Sequence, residues 1–119
     1  MPLEEFLAQV IAGVKVSFQD SITVIAANYR YTTTRFANGD VINEAGTNEG
    51  SCKLFYFAKL HGLTPAQTLA LFGDYYWKDV LEHPEANSHA NIRSFMRHGW
   101  AGIAYDGEAL QKLDDDAHY

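Results

Sequence analysis

The residues most able to do chemistry sit at one loop-to-helix junction. Cys52 follows Ser51, a residue type that caps helices, and precedes Lys53. A helix N-terminus and a neighbouring cation both favour thiolate over thiol, and the thiolate is the nucleophile. Downstream, His89 and Asn91 supply a base and a group to orient it, so the three together match the side-chain set of a cysteine-dependent hydrolase or transferase. Against this stands a structural reading, which we prefer. An unpaired cysteine behaves as a small hydrophobe and is among the most buried residue types.

The stretch leading into Cys52 invites a second chemistry. Gly46 and Gly50 stand in a loop entering a helix with Lys53 close behind, and backbone N–H groups in such a loop can cradle a phosphate. The order of residues departs from the P-loop, where lysine comes before the hydroxyl residue, and Glu44 and Glu49 repel phosphate. The polar residues of this segment instead suit hydrogen bonds that fix a hairpin to the helix, or a site for a ligand or partner. Candidates for the latter are Asn43, Glu44, Asn48, Ser51 and Lys53, joined by Arg93 and by Tyr76, which belongs to an aromatic group with Tyr75, Trp77 and Trp100. Tyrosine and tryptophan are common anchors of protein interfaces.

Other chemistries are disfavoured. His83 and His89, with Glu82 and Glu85 nearby, match neither a one-face helical pair nor a structural zinc pattern, so no metal and no cofactor is expected. His61-Gly62-Leu63-Thr64 between two short helices has the look of a helix-turn-helix, but Pro65 to Phe72 contains no lysine or arginine. A DNA-reading helix needs them, so no nucleic-acid partner is expected.

The elements that must position these residues follow from periodicity and punctuation. Leu3, Phe6, Leu7, Val10 and Ile11 mark one face of a helix over residues 2 to 12, stopped by Gly13. A short extended linker is expected at 14–18. Asp20 or Ser21 then caps a segment, 21–30, that reads as helix although its β-branched residues suit a strand equally. Asn38-Gly39 between two apolar stretches predicts a small β-hairpin. Ser51 is the expected cap of a central helix through His61, apolar on too many sides for a surface helix. Thr64-Pro65-Ala66-Gln67 is a capping box opening a short helix. Asp74 is read as capping another helix, which Pro84 ends, and Ser88 as capping a last one with Ile92, Phe95 and Met96 on one face. The fold class is thus mainly α with a small β-hairpin (α+β), a compact single-domain bundle of about five or six short helices.

Composition agrees. Hydrophobic residues at 47% and aromatics at 13% of 119 residues are too many for a disordered chain. No apolar run approaches the ~20 residues of a membrane span, so no membrane insertion is expected. The single cysteine excludes an internal disulfide. Glu4 and Glu5 occupy the place of a signal peptide's basic region, which points to the cytoplasm of the producing cell. Of the net charge of −6, residues 106–119 carry −4. They read as an acidic, flexible C-terminal tail beyond a globular domain at 1–105.

With these motifs in place, the chain resembles the HopJ type III effector family of Gram-negative bacteria. The matching blocks are Asn43-Glu44-Ala45-Gly46, Gly50-Ser51-Cys52-Lys53-Leu54-Phe55, Phe57-Ala58-Lys59-Leu60-His61-Gly62-Leu63, Phe72-Gly73-Asp74-Tyr75-Tyr76, His89, Asn91-Ile92-Arg93, Phe95-Met96 and Gly99-Trp100. The resemblance runs from about residue 3 to 105. It implies a small single-domain protein grouped with virulence-related effectors that a type III apparatus secretes into host cells, where its partner would be a host protein. It carries over no catalytic residues. The functional expectation is therefore a non-enzymatic interaction or binding module, with the Cys52–His89 enzyme as the alternative.

Overall fold

A computed structural model describes residues 2–113. Helix α1 (Leu3–Ile11) buries Phe6 and Val10, and an extended stretch follows. Helix α2 (Phe18–Asn28) starts earlier than an Asp20 or Ser21 cap would place it. Ser17 Oγ accepts the Asp20 N–H at 2.9 Å, and the Ser17 N–H donates to the Asp20 carboxylate at 3.2 Å. This capping box decides the ambiguous segment in favour of helix. Burial agrees, because the consecutive residues Val24 and Ile25 are both buried, whereas a half-buried strand would expose one of them.

Five three-residue strands form two small antiparallel sheets. Strands β1 (Tyr29–Tyr31), β2 (Phe36–Asn38) and β3 (Val41–Asn43) come early, β4 (Ile103–Tyr105) and β5 (Leu110–Lys112) late. The sheet orders are β3-β2-β4 and β1-β5. The expected hairpin is present as β2–β3, with Phe36 opposite Asn43 and Asn38 opposite Val41. Its turn lies one residue later than the Asn38-Gly39 reading, at Gly39-Asp40. Gly39 holds φ at 59°, and a Cβ there would lie 2.2 Å from the His98 ring. Asn38 is thereby freed to be a fully buried strand residue.

The domain also extends past the expected boundary at residue 105. Ala109 and Leu110 are buried. The Thr32 N–H donates to the Ala109 carbonyl at 2.8 Å, and the Leu113 N–H to the Asn28 carbonyl at 3.0 Å. Acidic residues on the loop made 106–113 read as tail, but Ala109 and Leu110 close the core over β1. Asp114 to Tyr119, also assigned to the tail, lie outside the described residues.

Helix α3 (Glu49–Leu60) is the central element, with six residues from Cys52 to Ala58 buried. Phe55 reaches Phe36, Phe72 and Phe95, with ring centroids 6.3, 5.3 and 4.9 Å away. On another side Phe57 meets Phe6 and Tyr29. One helix thus ties the hairpin to α1 and β1. The predicted Thr64–Gln67 capping box is present on α4 (Pro65–Ala70). The next helical stretch, Tyr75–Val80, is a π-helix, and Asp74 does not cap it with its side chain. Helix α5 (Ala90–His98) buries Asn91, Ile92, Ser94 and Phe95, while Met96, expected on that face, is exposed. A 3₁₀ turn over Gly99–Gly102 leads to β4.

Two expected serine caps move. Asn48, not Ser51, precedes α3, and His89, not Ser88, precedes α5. Both are in the left-handed region, at φ 48° and 53°. Asparagine tolerates that conformation well among non-glycine residues. Its amide is also needed here, since Asn48 Nδ2 donates to Asn43 Oδ1 at 2.7 Å.

That bond belongs to a buried asparagine cluster joining three elements. Asn43 and Asn91 exchange amide bonds, Asn91 Nδ2 to Asn43 Oδ1 at 2.9 Å and Asn43 Nδ2 to Asn91 Oδ1 at 3.0 Å. Asn38 Nδ2 donates to the Asn91 carbonyl at 2.8 Å and to its Oδ1 at 3.0 Å. Ser94 Oγ donates to the Asn38 carbonyl at 2.6 Å. Hairpin and α5 are thus locked by buried groups that cannot turn to water, and exposed Asn48 ties the α3 entry to them.

Asn91→Ala removes the side-chain amide that pairs with buried Asn43 and shares the Asn38 donor, and is expected to cost about 1–3 kcal/mol in chemical denaturation. A shift no larger than that of an exposed alanine substitution would refute the lock. Removal of residues 106–119 is expected to lower stability by roughly 3 kcal/mol or more through loss of Leu110 burial and β5 pairing. An unchanged midpoint would show that the core ends at residue 105 after all.

Candidate functional site

Cys52 is sealed inside the domain. It is 1% exposed, its Sγ lies 3.6 Å from the Thr34 carbonyl, and the Tyr105 hydroxyl donates to the Cys52 carbonyl at 2.7 Å. Tyr105 in turn stacks on Phe36 at 4.9 Å. Burial pushes the Cys52 thiol up, and the hydrogen bonds around it offset this only in part. Desolvation therefore outweighs the dipole and lysine effects that made a thiolate attractive. The Lys53 ammonium stands 4.7 Å over the Tyr31 ring.

One turn-side away, Ser51 faces a cleft of about 280 Å³ between the starts of α3 and α5. Adjacent helix positions differ by about 100° in direction, which is enough to send Cys52 inward and Ser51 outward. Asn48, Ser51, His89 and Asn91 line this cleft, with Phe18, Phe72 and Tyr75 among its other walls. His89 Nε2 is 3.0 Å from Asp79 Oδ2, and its ring packs on Tyr75 at 5.1 Å. Cys52 does not line the cleft, so the proposed Cys52–His89–Asn91 set is not assembled there. Asn91 has its amide committed to Asn43 and Asn38.

A second hollow of about 400 Å³ shares the Phe18, Phe72 and Tyr75 walls and continues to Lys15 and Trp77. Lys15 Nζ stands 4.7 Å over the Trp77 ring there.

The remaining candidates do not join the cleft. Glu44 pairs with Arg35 at 3.4 Å, and Arg35 also reaches Asp106 at 3.4 Å. Arg93 Nε donates to the Ser88 carbonyl at 2.6 Å, with further bonds to the Pro84 and Asp79 carbonyls, so it ties the π-helix and its following loop to α5. Tyr76 is half-buried and packs on Trp77. Asn43 sits beneath the cleft in the asparagine cluster. Among the described residues no three His, Cys, Asp or Glu side chains come together as metal ligands, and no helix is long and apolar enough to cross a membrane.

Sequence reasoning missed Asn38, Asp79 and the aromatic walls. Asn38 shares strand parity with Phe36, and that alternation was the available signal. For Asp79, Phe18 and Phe72 no local signal exists.

Fold and cleft define the class: a single α+β domain built round one helix, with a small cleft of mixed polarity. The profile of the HopJ type III effector protein family matches residues 3–110, and the chain belongs to that family. It is also similar to a solved crystal structure described as "unknown function protein VPA0580", at 44% identity over 95% of both chains and a TM-score of 0.93. A search of curated proteins gave no match.

With its thiol buried and its pKa raised, Cys52 is expected to resist a chromogenic disulfide reagent at pH 7 in native buffer and to react fully in denaturant. Rapid stoichiometric reaction of the native protein would contradict this assignment.

Proposed function

We propose that this HopJ-family protein is an effector-type binding module, acting by non-covalent recognition and using the cleft between the starts of α3 and α5. The carrying observation is the convergence of Asn48, Ser51 and His89, from opposite sides of a gap of 37 residues in sequence, on one open cleft with aromatic walls. Pockets of this kind, apolar with a few polar groups, are the common form of a recognition site. The family supports delivery by a type III apparatus from the cytoplasm of the producing bacterium, which makes a host protein the partner. No cofactor enters this reading, and the burial of Cys52 supports non-covalent recognition over a cysteine-dependent reaction.

The test is photo-crosslinking in host-cell extract from a reactive amino acid at position 90, whose alanine is exposed on the cleft. A crosslinked product is expected that Ser51→Trp, which fills the cleft, abolishes and that Cys52→Ala leaves unchanged. Crosslinking that survives Ser51→Trp but disappears with Cys52→Ala would overturn the reading.

A further inference from the structure

We infer that the cleft takes one aromatic ring bearing a hydrogen-bonding group, with a phenol as the simplest case, an inference that rests on the cleft being the recognition site. Four rings follow one another along it. Phe72 and Phe18 are stacked at 6.4 Å and 24°, Phe18 meets Tyr75 edge-on at 5.1 Å, and Tyr75 meets His89 at 5.1 Å and 35°. All four line the same 280 Å³. Ring faces and edges carry opposite partial charge, so such a row favours a planar guest over an aliphatic one. The volume lies just below the small end of ligand pockets, room for one ring.

The polar end selects the guest's substituent. Ser51 takes no part in capping α3, so its hydroxyl is available both to donate and to accept. A phenol offers the same two roles in return. The lining contains neither lysine nor arginine, so the cleft lacks the fork or point charge by which proteins usually hold carboxylates and phosphates. Tyr75 is 43% exposed, which leaves the aromatic wall open to a guest arriving from solvent. The ring can come from a free small phenol or from a tyrosine side chain of a partner polypeptide.

Two-dimensional amide NMR of the full chain separates the possibilities, with p-cresol, toluene, cyclohexanol and N-acetyl-tyrosinamide as probes. Saturable shifts of the Gly50, Ser51, Ala90 and Asn91 amides are expected with p-cresol, stronger than with toluene and absent with cyclohexanol. Ser51→Ala should weaken p-cresol about fivefold, the loss of one neutral hydrogen bond, and leave toluene unchanged. Tyr75→Ala should weaken both rings. N-acetyl-tyrosinamide binding as well as p-cresol identifies a polypeptide source, and its exclusion identifies a free phenol. Absence of saturable shifts with p-cresol, or equal binding of toluene or cyclohexanol, overturns the inference. Crosslinking that depends on the cleft while p-cresol fails would leave the recognition site standing and reject only the aromatic guest.

Discussion

The exchange of amide bonds between Asn43 and Asn91 is the interaction on which the rest of the functional end depends. It couples the last residue of the hairpin to the first turn of α5 with two bonds of 2.9 and 3.0 Å, and both side chains are buried. A primary amide is suited to this, since it donates and accepts within one planar group. Two further asparagines attach to the pair. Asn48 uses the Asn43 oxygen to hold the entry of α3, and Asn38 reaches Asn91 from the other hairpin strand. A polar cluster this far inside is tolerated only when nearly all of its groups are paired, and when they are it fixes one arrangement. The cleft is the surface expression of that arrangement: its polar walls are two members of the cluster, Asn48 and Asn91, with Ser51 and His89 beside them.

Local strain gathers at the same place. Asn48 and His89, the described non-glycine residues with positive φ, both border the cleft, and the π-helix supplies Tyr75 and the Asp79 partner of His89. Left-handed backbone in ordinary residues and single π turns each cost free energy and concentrate where a site must be shaped. Here the surrounding cluster over-determines them, so the strained residues are held in place by packing below them.

What was legible in the sequence is what local physics decides. The 3.6 period of α1, the Thr64–Gln67 box, the two-sided apolarity of α3 and the turn-forming Asn38-Gly39 pair each act within a few residues, and each element is present. The misplaced caps have two causes: Ser17 wins by a local capping box with Asp20, whereas Asn48 and His89 stand in a left-handed backbone that no serine signal reports. Strands β4 and β5 are three residues long, too short for alternation to register, and the acids flanking β5 masked its buried Ala109 and Leu110. For the cleft, the sequence names residue types and the fold decides which of them share a surface. Cys52 and Ser51 are neighbours in the chain, but the direction of one helix step decides which of them meets solvent.

The asparagine lock also bears on the order in which the chain can fold. Its bonds span 48 and 53 residues, whereas the hairpin and α4 close over fewer than ten. Contacts so far apart along the chain carry the loop-closure entropy that slows folding. During synthesis Asn38 and Asn43 are therefore made well before the Asn91 that pairs with them. Until α5 is made the cleft lacks the side that Ala90, Asn91 and Ile92 supply, so it is among the last features of this protein to close.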